Sequence, residues 1–175
     1  MRKKYLNEFA IIQSDIRQRS GSIMPKKFYV EMMNWSSSLK ETKDREIRKM
    51  YLDYISYFEN IDIRDHLFDP LWYDFDELIN TNFLKMPLEN LENVVHNVRD
   101  ILWEIIAFKT DRECKVLPID NLRLLTDKNR ANVFFCCDVC GYIENIAGEK
   151  FKNNDILFPA TNQQILEYKV CPARY

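Results

Sequence analysis

The strongest constraint on the fold is a long stretch of the chain in which apolar residues recur at intervals of three and four. This spacing places them on one face of an α-helix of nearly three heptads. The stripe is broad, which favours a central helix that contacts several neighbours over a dimeric coiled coil. Pro87 is suited to the first turn of such a helix. The residues of the stripe are Leu88, Leu91, Val95, Val98, Leu102 and Ile105, widened by Val94, Ile101, Trp103 and Ile106.

Three earlier segments have the same helical periodicity and predict a bundle-like body of about five helices over residues 1–110. Pro25 indicates the start of the second helix, and Thr42 is expected to cap the third. Pro70 interrupts the pattern, so we expect only a short helix at about residues 74–84. The three stripes are Tyr5, Phe9, Ile12 and Ile16, then Phe28, Met32, Trp35 and Leu39, then Ile47, Tyr51, Tyr54, Phe58 and Ile61.

The sequence changes character after residue 110, where short β-branched and aromatic runs replace the helical pattern. Residues 132–136 and 142–146 flank a turn-like centre and predict a β-hairpin. A third strand is expected to end at Pro159, followed by a short helix capped by Thr161 or Asn162, or by a final strand. We therefore predict an α+β protein, in which a small β-containing region of residues 111–175 packs on the helical body as one unit.

Composition excludes several functional classes. Three glycines in 175 residues cannot form a glycine-rich phosphate loop. A formal net charge of -2 argues against a general nucleic-acid partner, and no apolar run is long enough to predict a membrane span. Five unevenly spaced cysteines do not indicate a secreted disulfide framework, so we expect a reducing cytoplasm. The abundance of Lys, Asn, Ile, Tyr and Phe suggests a low-GC bacterial or phage gene.

The most distinctive motif is a Cys-x-x-Cys-Gly sequence at the centre of the predicted hairpin. Cys137 and Cys140 can supply two thiolates from one tight turn, and Gly141 relieves the backbone there. This motif resembles the first knuckle of a zinc ribbon. The second knuckle of that family is typically Cys-Pro-x-Cys, and the final residues of this chain match only half of it. Cys171 and Pro172 are present, but Arg174 stands in the place of the last cysteine.

Three interpretations of the cysteines remain open. Cys114 could replace the missing ligand, which predicts one structural Zn²⁺ bound by Cys114, Cys137, Cys140 and Cys171. The region could instead be a metal-free hairpin with buried thiols, since free cysteine packs as a small apolar residue. A redox pair is the third interpretation. Cys136 is expected to point away from Cys137, because adjacent residues of a strand face opposite sides.

An acidic, aromatic-rich segment is the other candidate site. Residues 1–49 carry twelve Lys or Arg against six Asp or Glu, whereas residues 50–110 carry four against twelve. Two solvated faces over an aromatic core would explain this layout. Alternatively, carboxylates and aromatic anchors form a surface that docks on a basic protein. The predicted partner-binding residues are Asp62, Asp65, Asp69, Trp72, Tyr73, Asp74, Asp76 and Glu77.

These features predict a non-enzymatic protein-binding module. Its most concrete form is a bacterial immunity protein or antitoxin that neutralises a basic, nuclease-type toxin through the acidic residues. One alternative is a zinc-binding accessory or regulatory protein with a degenerate zinc-ribbon tail. Another is a metal-dependent hydrolase that uses Asp69, Asp74, Asp76 or Glu77 together with His66, although no nucleophile motif is present.

Overall fold

The computed structural model describes residues 2–19, 23–66, 75–152 and 156–168. Within these ranges the chain forms six α-helices and five β-strands, and five of the helices precede the antiparallel sheet. The predicted α+β class is therefore confirmed. The chain divides into two compact units. We call them the helical unit, within Met1–Asp62 and Tyr73–Ile105, and the sheet unit, within Ile63–Trp72 and Ile106–Tyr175.

Amphipathic helices make up the helical unit. Their bounds are α1 Arg2–Gln18, α2 Pro25–Lys40, α3 Arg45–Tyr54, α4 Phe75–Leu78 and α5 Leu91–Ile106. A 3₁₀ turn, Ser56–Asn60, follows α3, and a π-helical turn, Ile79–Phe83, continues α4. Among the residues that the structure describes, no helix combines the length and the hydropathy that a membrane crossing requires.

Two helix starts differ from the prediction. The N-cap of α3 is Asp44, whose carboxylate accepts the N–H groups of Glu46 and Ile47, at 3.0 and 3.3 Å. The prediction of Thr42 as this cap was wrong, because Thr42 lies two residues before the cap and its hydroxyl accepts the N–H of Asp44.

The prediction that the central helix begins at Pro87 was also wrong. This helix, α5, begins at Leu91. The side chain of Asn90 accepts the N–H of Glu92 at 2.9 Å, in the manner of an N-cap, so the helix starts one turn after the proline. Leu88 consequently lies outside the helix, and the apolar stripe is shorter than its periodicity indicated.

Aromatic side chains from separate helices form the core of the helical unit. The ring of Phe9 lies 4.8 Å from that of Trp35 and 5.3 Å from that of Phe83. Phe28 contacts Phe83 at 4.9 Å and Phe75 at 5.7 Å, both edge to face. Such contacts add to the stabilisation from buried apolar area. The predicted stripe of α2 is buried throughout, and that of α1 is buried except for Ile12, which is half-buried.

Helix α1 also satisfies backbone groups at the end of the π-helical turn. The buried side chain of Gln13 donates to the carbonyl of Phe83 at 2.6 Å, and Arg17 donates to the carbonyl of Leu84 at 2.9 Å. Carbonyls at the end of a helix have no partner within it. A glutamine on the buried face of α1 thus provides a hydrogen bond that the irregular turn requires.

We predict that Gln13→Leu lowers the free energy of unfolding by about 1 kcal/mol, because the buried carbonyl of Phe83 loses the shorter of its two hydrogen bonds and keeps only that from the N–H of Met86, at 3.3 Å. Urea denaturation at neutral pH measures the change. The control is Gln18→Leu on the exposed face of the same helix, which should change stability by less than about 0.5 kcal/mol. Equal effects of the two substitutions would contradict the assigned role of Gln13.

The sheet unit contains a small antiparallel sheet and one helix. The strands are β1 Lys109–Glu113, β2 Asn121–Thr126, β3 Val133–Cys136, β4 Ile143–Asn145 and β5 Phe158–Pro159, and the helix is α6 Asn162–Glu167. The order is β1-β2-β3-β4, and β5 also pairs with β2. The predicted hairpin, the strand at Pro159 and the helix capped by Thr161 are confirmed. Strands β1 and β2 were not predicted.

Candidate metal centre

Two loops of the sheet unit carry the cysteines of interest. The first loop, residues 114–120, connects β1 to β2, and the second loop, residues 137–142, connects β3 to β4. Each loop is closed by its cysteine. The N–H of Cys114 donates to the carbonyl of Asp120, and the N–H of Cys137 donates to that of Tyr142, both at 2.9 Å. Both cysteines are therefore fixed where a strand ends.

The two loops bring three sulfur atoms together. The Sγ atoms of Cys114, Cys137 and Cys140 all lie within 4.8 Å of one another, and Cys114 and Cys140 are 3.6 Å apart. The first two thiols are buried and the third is exposed. No other group of three such side chains occurs in the described parts of the chain. The structure thus unites three of the four predicted ligands, while Cys171 lies outside the described residues.

Backbone N–H groups point at two of these sulfur atoms. The N–H groups of Val116 and Leu117 bond to Cys114, the latter at 3.3 Å, and those of Val139 and Cys140 bond to Cys137. In each loop the donors are the second and third residues after the cysteine. Hydrogen bonds of this kind stabilise a thiolate.

Without a cation, deprotonation of one thiol in the cluster makes deprotonation of its neighbours less favourable. Burial raises the pKa of Cys114, but the backbone N–H groups and the neighbouring thiols outweigh burial, and its pKa lies below the ordinary value. Burial, together with hydrogen bonds to the Cys140 and Cys114 thiols, raises the pKa of Cys137 to about 12. One thiolate therefore forms at the expense of the next. A divalent cation removes this penalty, because it attracts all three thiolates.

Cys136 does not belong to the cluster, although it precedes Cys137 directly. It is buried in β3 and is absent from the group of three sulfur atoms. Burial, with the nearby Asp138 and Cys137, raises its pKa to about 12. It therefore packs as an apolar residue.

Charged residues anchor both loops to the sheet. The carboxylate of Asp120 pairs with Lys109 at 2.9 Å and accepts the thiol of Cys137 at 3.4 Å. Asp138, inside the Cys-x-x-Cys motif, pairs with Arg123. The guanidinium of Arg123 is buried and also donates to the carbonyl of Ala107 at 2.6 Å. These partners fix the orientation of the loops and place positive charge near the thiols.

A buried carboxylate joins the two loops to each other. Glu144 of β4 is fully buried and pairs with Arg112 of β1 at 2.6 Å and with Lys115 of the first loop at 2.7 Å. It also accepts the hydroxyl of Tyr142, in the second loop, at 2.9 Å. Burial raises the pKa of Glu144, but these partners outweigh it and hold the pKa below the ordinary value.

Sequence reasoning missed this supporting network because its cations Arg112 and Arg123 lie on strands that were not predicted. Arg112 lies in the polar strand β1, and Arg123 lies between two leucines of β2, where a buried arginine is uncommon. The signal that could have found them is the presence of two arginines before the motif and of two acidic residues, Asp138 inside it and Glu144 after it. Only the strand order shows which arginine pairs with which carboxylate.

The residues of the acidic segment are only partly described. Asp69, Trp72, Tyr73 and Asp74 lie outside the described residues. Asp76 and Glu77 are exposed in the first turn of α4, and Asp62 is half-buried. Asp65 belongs to the sheet unit, where it pairs with Arg130 at 3.0 Å and accepts the N–H of Asn162 through its carbonyl at 2.8 Å.

The proposed hydrolase residues do not form a metal site in the described structure. His66 is buried, and its Nε2 atom lies 3.3 Å from the carbonyl of Pro159. Within the ranges that the structure covers, neither it nor Asp76 or Glu77 joins two further metal-ligating side chains. Asp69 and Asp74 lie outside those ranges.

Comparisons of the chain with models of protein families, with curated proteins and with solved structures give no match. The chemistry of the three-cysteine cluster therefore rests on its own geometry. Three sulfur atoms at this separation, two of them supported by backbone N–H groups, could hold a metal ion.

We predict that Glu144→Gln lowers the free energy of unfolding by about 2 kcal/mol at pH 7, because two cations lose a buried carboxylate. Since the folded-state pKa of Glu144 is lowered, its contribution is complete above about pH 4.3 and disappears as the pH falls through the folded-state value. The wild type and the variant should therefore converge in acid. Urea denaturation at a series of pH values measures this, with the exposed Glu113→Gln as control.

Proposed function

We propose that Cys114, Cys137 and Cys140 bind one Zn²⁺ ion that stabilises the sheet unit of a non-enzymatic binding protein. The observation that carries the proposal is the convergence of the three sulfur atoms within 4.8 Å. Two of these atoms come from the second loop and one from the first. A single ion would therefore cross-link two loops that are separated by the sixteen residues 121–136.

The spacing of the sulfur atoms suits zinc. Zinc–sulfur bonds of about 2.3 Å in a tetrahedron place neighbouring sulfur atoms about 3.8 Å apart. The Sγ atoms of Cys114 and Cys140 are separated by 3.6 Å, close to that value. Soft thiolate ligands favour zinc over magnesium, calcium or manganese. The other two pairs of sulfur atoms lie within 4.8 Å, so all three atoms are near the separation that one ion requires.

A structural role fits this ligand set better than a catalytic one. Three thiolates transfer negative charge to the ion and weaken its ability to polarise a substrate. Catalytic zinc sites more often include histidine or carboxylate ligands, and Asp120 is already paired with Lys109. The binding free energy of a structural ion contributes directly to folding, because the unfolded chain has no preformed site.

The first test is metal content. We expect purified wild-type protein to contain about one zinc ion per chain by elemental analysis, and a chelator should lower its melting temperature. Cys137→Ala should lose the ion and show no response to the chelator. The matched control is Cys136→Ala, which removes the neighbouring buried thiol and should keep the metal. A wild-type protein that neither retains nor takes up zinc would contradict the proposal.

The biological role that we propose for this binding protein is the one indicated by the sequence, inhibition of a basic, nuclease-type toxin as an immunity protein or antitoxin. The exposure of Asp76 and Glu77 at the start of α4 supports it, as does the excess of acidic residues in residues 50–110. Carboxylates at such positions accelerate the encounter with a positively charged partner.

We predict that Asp76→Lys slows association with a co-purified basic partner about tenfold at low salt, because it reverses a charge in the proposed surface. Surface plasmon resonance at two salt concentrations measures the association rate. Asp111→Lys makes the same charge change at an exposed position of β1 and should have little effect. A rate that is equally unaffected by both substitutions would remove Asp76 from the interface.

A further inference from the structure

The two cysteine loops begin at equivalent positions and share a Cys-x-Val sequence. Residues 114–118 read Cys-Lys-Val-Leu-Pro, and residues 137–141 read Cys-Asp-Val-Cys-Gly. Each stretch begins at the residue after a strand, namely β1, which ends at Glu113, and β3, which ends at Cys136. In this alignment Leu117 occupies the position that Cys140 occupies in the second loop.

The hydrogen bonds of the two loops match residue by residue. In the first loop, the sulfur of Cys114 accepts the N–H groups of the residues two and three positions later, Val116 and Leu117. In the second loop, the sulfur of Cys137 accepts those of Val139 and Cys140. The backbone of the first loop therefore has the arrangement of a Cys-x-x-Cys knuckle, although its second cysteine is missing.

The environments of the matched residues also agree. Val116 and Val139 are both exposed, at 57% and 70%. Lys115 and Asp138 each form an ion pair with a buried charge of the sheet, Glu144 and Arg123 respectively. The correspondence therefore includes exposure and charge pairing in addition to the sequence. Leu117 is the one position of the four-ligand pattern that cannot bind a metal.

We propose that Leu117 stands in the place of a fourth thiolate, so that the metal has three protein ligands and an open fourth position that accepts a low-molecular-weight thiol from solution. The inference rests on the proposed zinc site. Cys140 is exposed, so a small ligand can approach the ion from that side. The cations around the loops, Lys109, Lys115 and Arg123, are each paired with a carboxylate of the sheet unit.

Two residues of this chain could compete for the fourth position. Asp120 contacts Cys137, but its carboxylate is held by Lys109. Cys171 is the fourth ligand that the sequence predicted, and it lies outside the described residues. The experiment must therefore distinguish an external thiol from each of these two side chains.

Cobalt replaces zinc in the test, because its visible absorption reports the number of thiolate ligands. Full-length protein loaded with Co²⁺ is titrated with 2-mercaptoethanol. We expect the spectrum of the wild type to change with saturation, as a fourth sulfur binds. Leu117→Cys should show the four-thiolate spectrum without added thiol, should not respond to it, and should bind Co²⁺ at least about tenfold more tightly. Leu117→Ala is the matched control and should respond like the wild type.

Other results would overturn the inference. A wild-type spectrum that already indicates four ligands and ignores the thiol means that the position is filled, and a response that appears only in Cys171→Ser or Asp120→Asn identifies the residue that fills it. The wild-type titration decides the question even if Leu117→Cys does not fold. Failure of the wild type to bind Co²⁺ at all contradicts the zinc site itself, which distinguishes that failure from a closed fourth position.

Discussion

The pairing of four antiparallel strands is the constraint on which the candidate site depends. In the order β1-β2-β3-β4, the chain reverses direction at each connection. The β1–β2 and β3–β4 loops must therefore lie at the same end of the strands, and the β2–β3 loop lies at the opposite end. Lys109 pairs with Arg123, and Arg123 pairs with Cys136, so the register is fixed across three strands. Cys114 consequently reaches Cys140 across 26 positions of sequence.

Buried charges make this arrangement specific. Arg123 and Glu144 are almost completely inaccessible, and each bonds to groups from at least two segments of the sheet unit. A buried ion pair adds little net stability, but removing one partner leaves an unpaired charge and is costly. The network therefore penalises any register that separates the loops. The thiols add a second requirement, because their mutual repulsion is relieved only by protons or by a cation.

Local patterns of the sequence predicted most helices and the hairpin, because apolar periodicity and turn residues act over short distances. They did not predict β1, whose five residues are all polar and include a single fully buried side chain, Thr110. In β2 the buried Arg123 interrupts the apolar run. Without β1 and β2, the sequence does not show that Cys114 lies beside Cys140. The second-knuckle motif that it offers instead is Cys171 followed by Pro172. The match between Leu117 and Cys140 becomes visible only when both loops are seen to follow equivalent strands.

The proposed centre connects metal binding to the surface that the sequence predicted for a partner. Asp65, one of the predicted contact residues, is held in the sheet unit by Arg130 and by the N–H of Asn162 at the start of α6. Gln164 of the same helix donates to Thr126 at the end of β2. A metal that stabilises the sheet therefore stabilises the support of Asp65 as well. Three protein thiolates bind zinc less tightly than four. The concentrations of zinc and of small thiols would therefore set the fraction of molecules in which the sheet unit, and with it the support of Asp65, is stabilised by the metal.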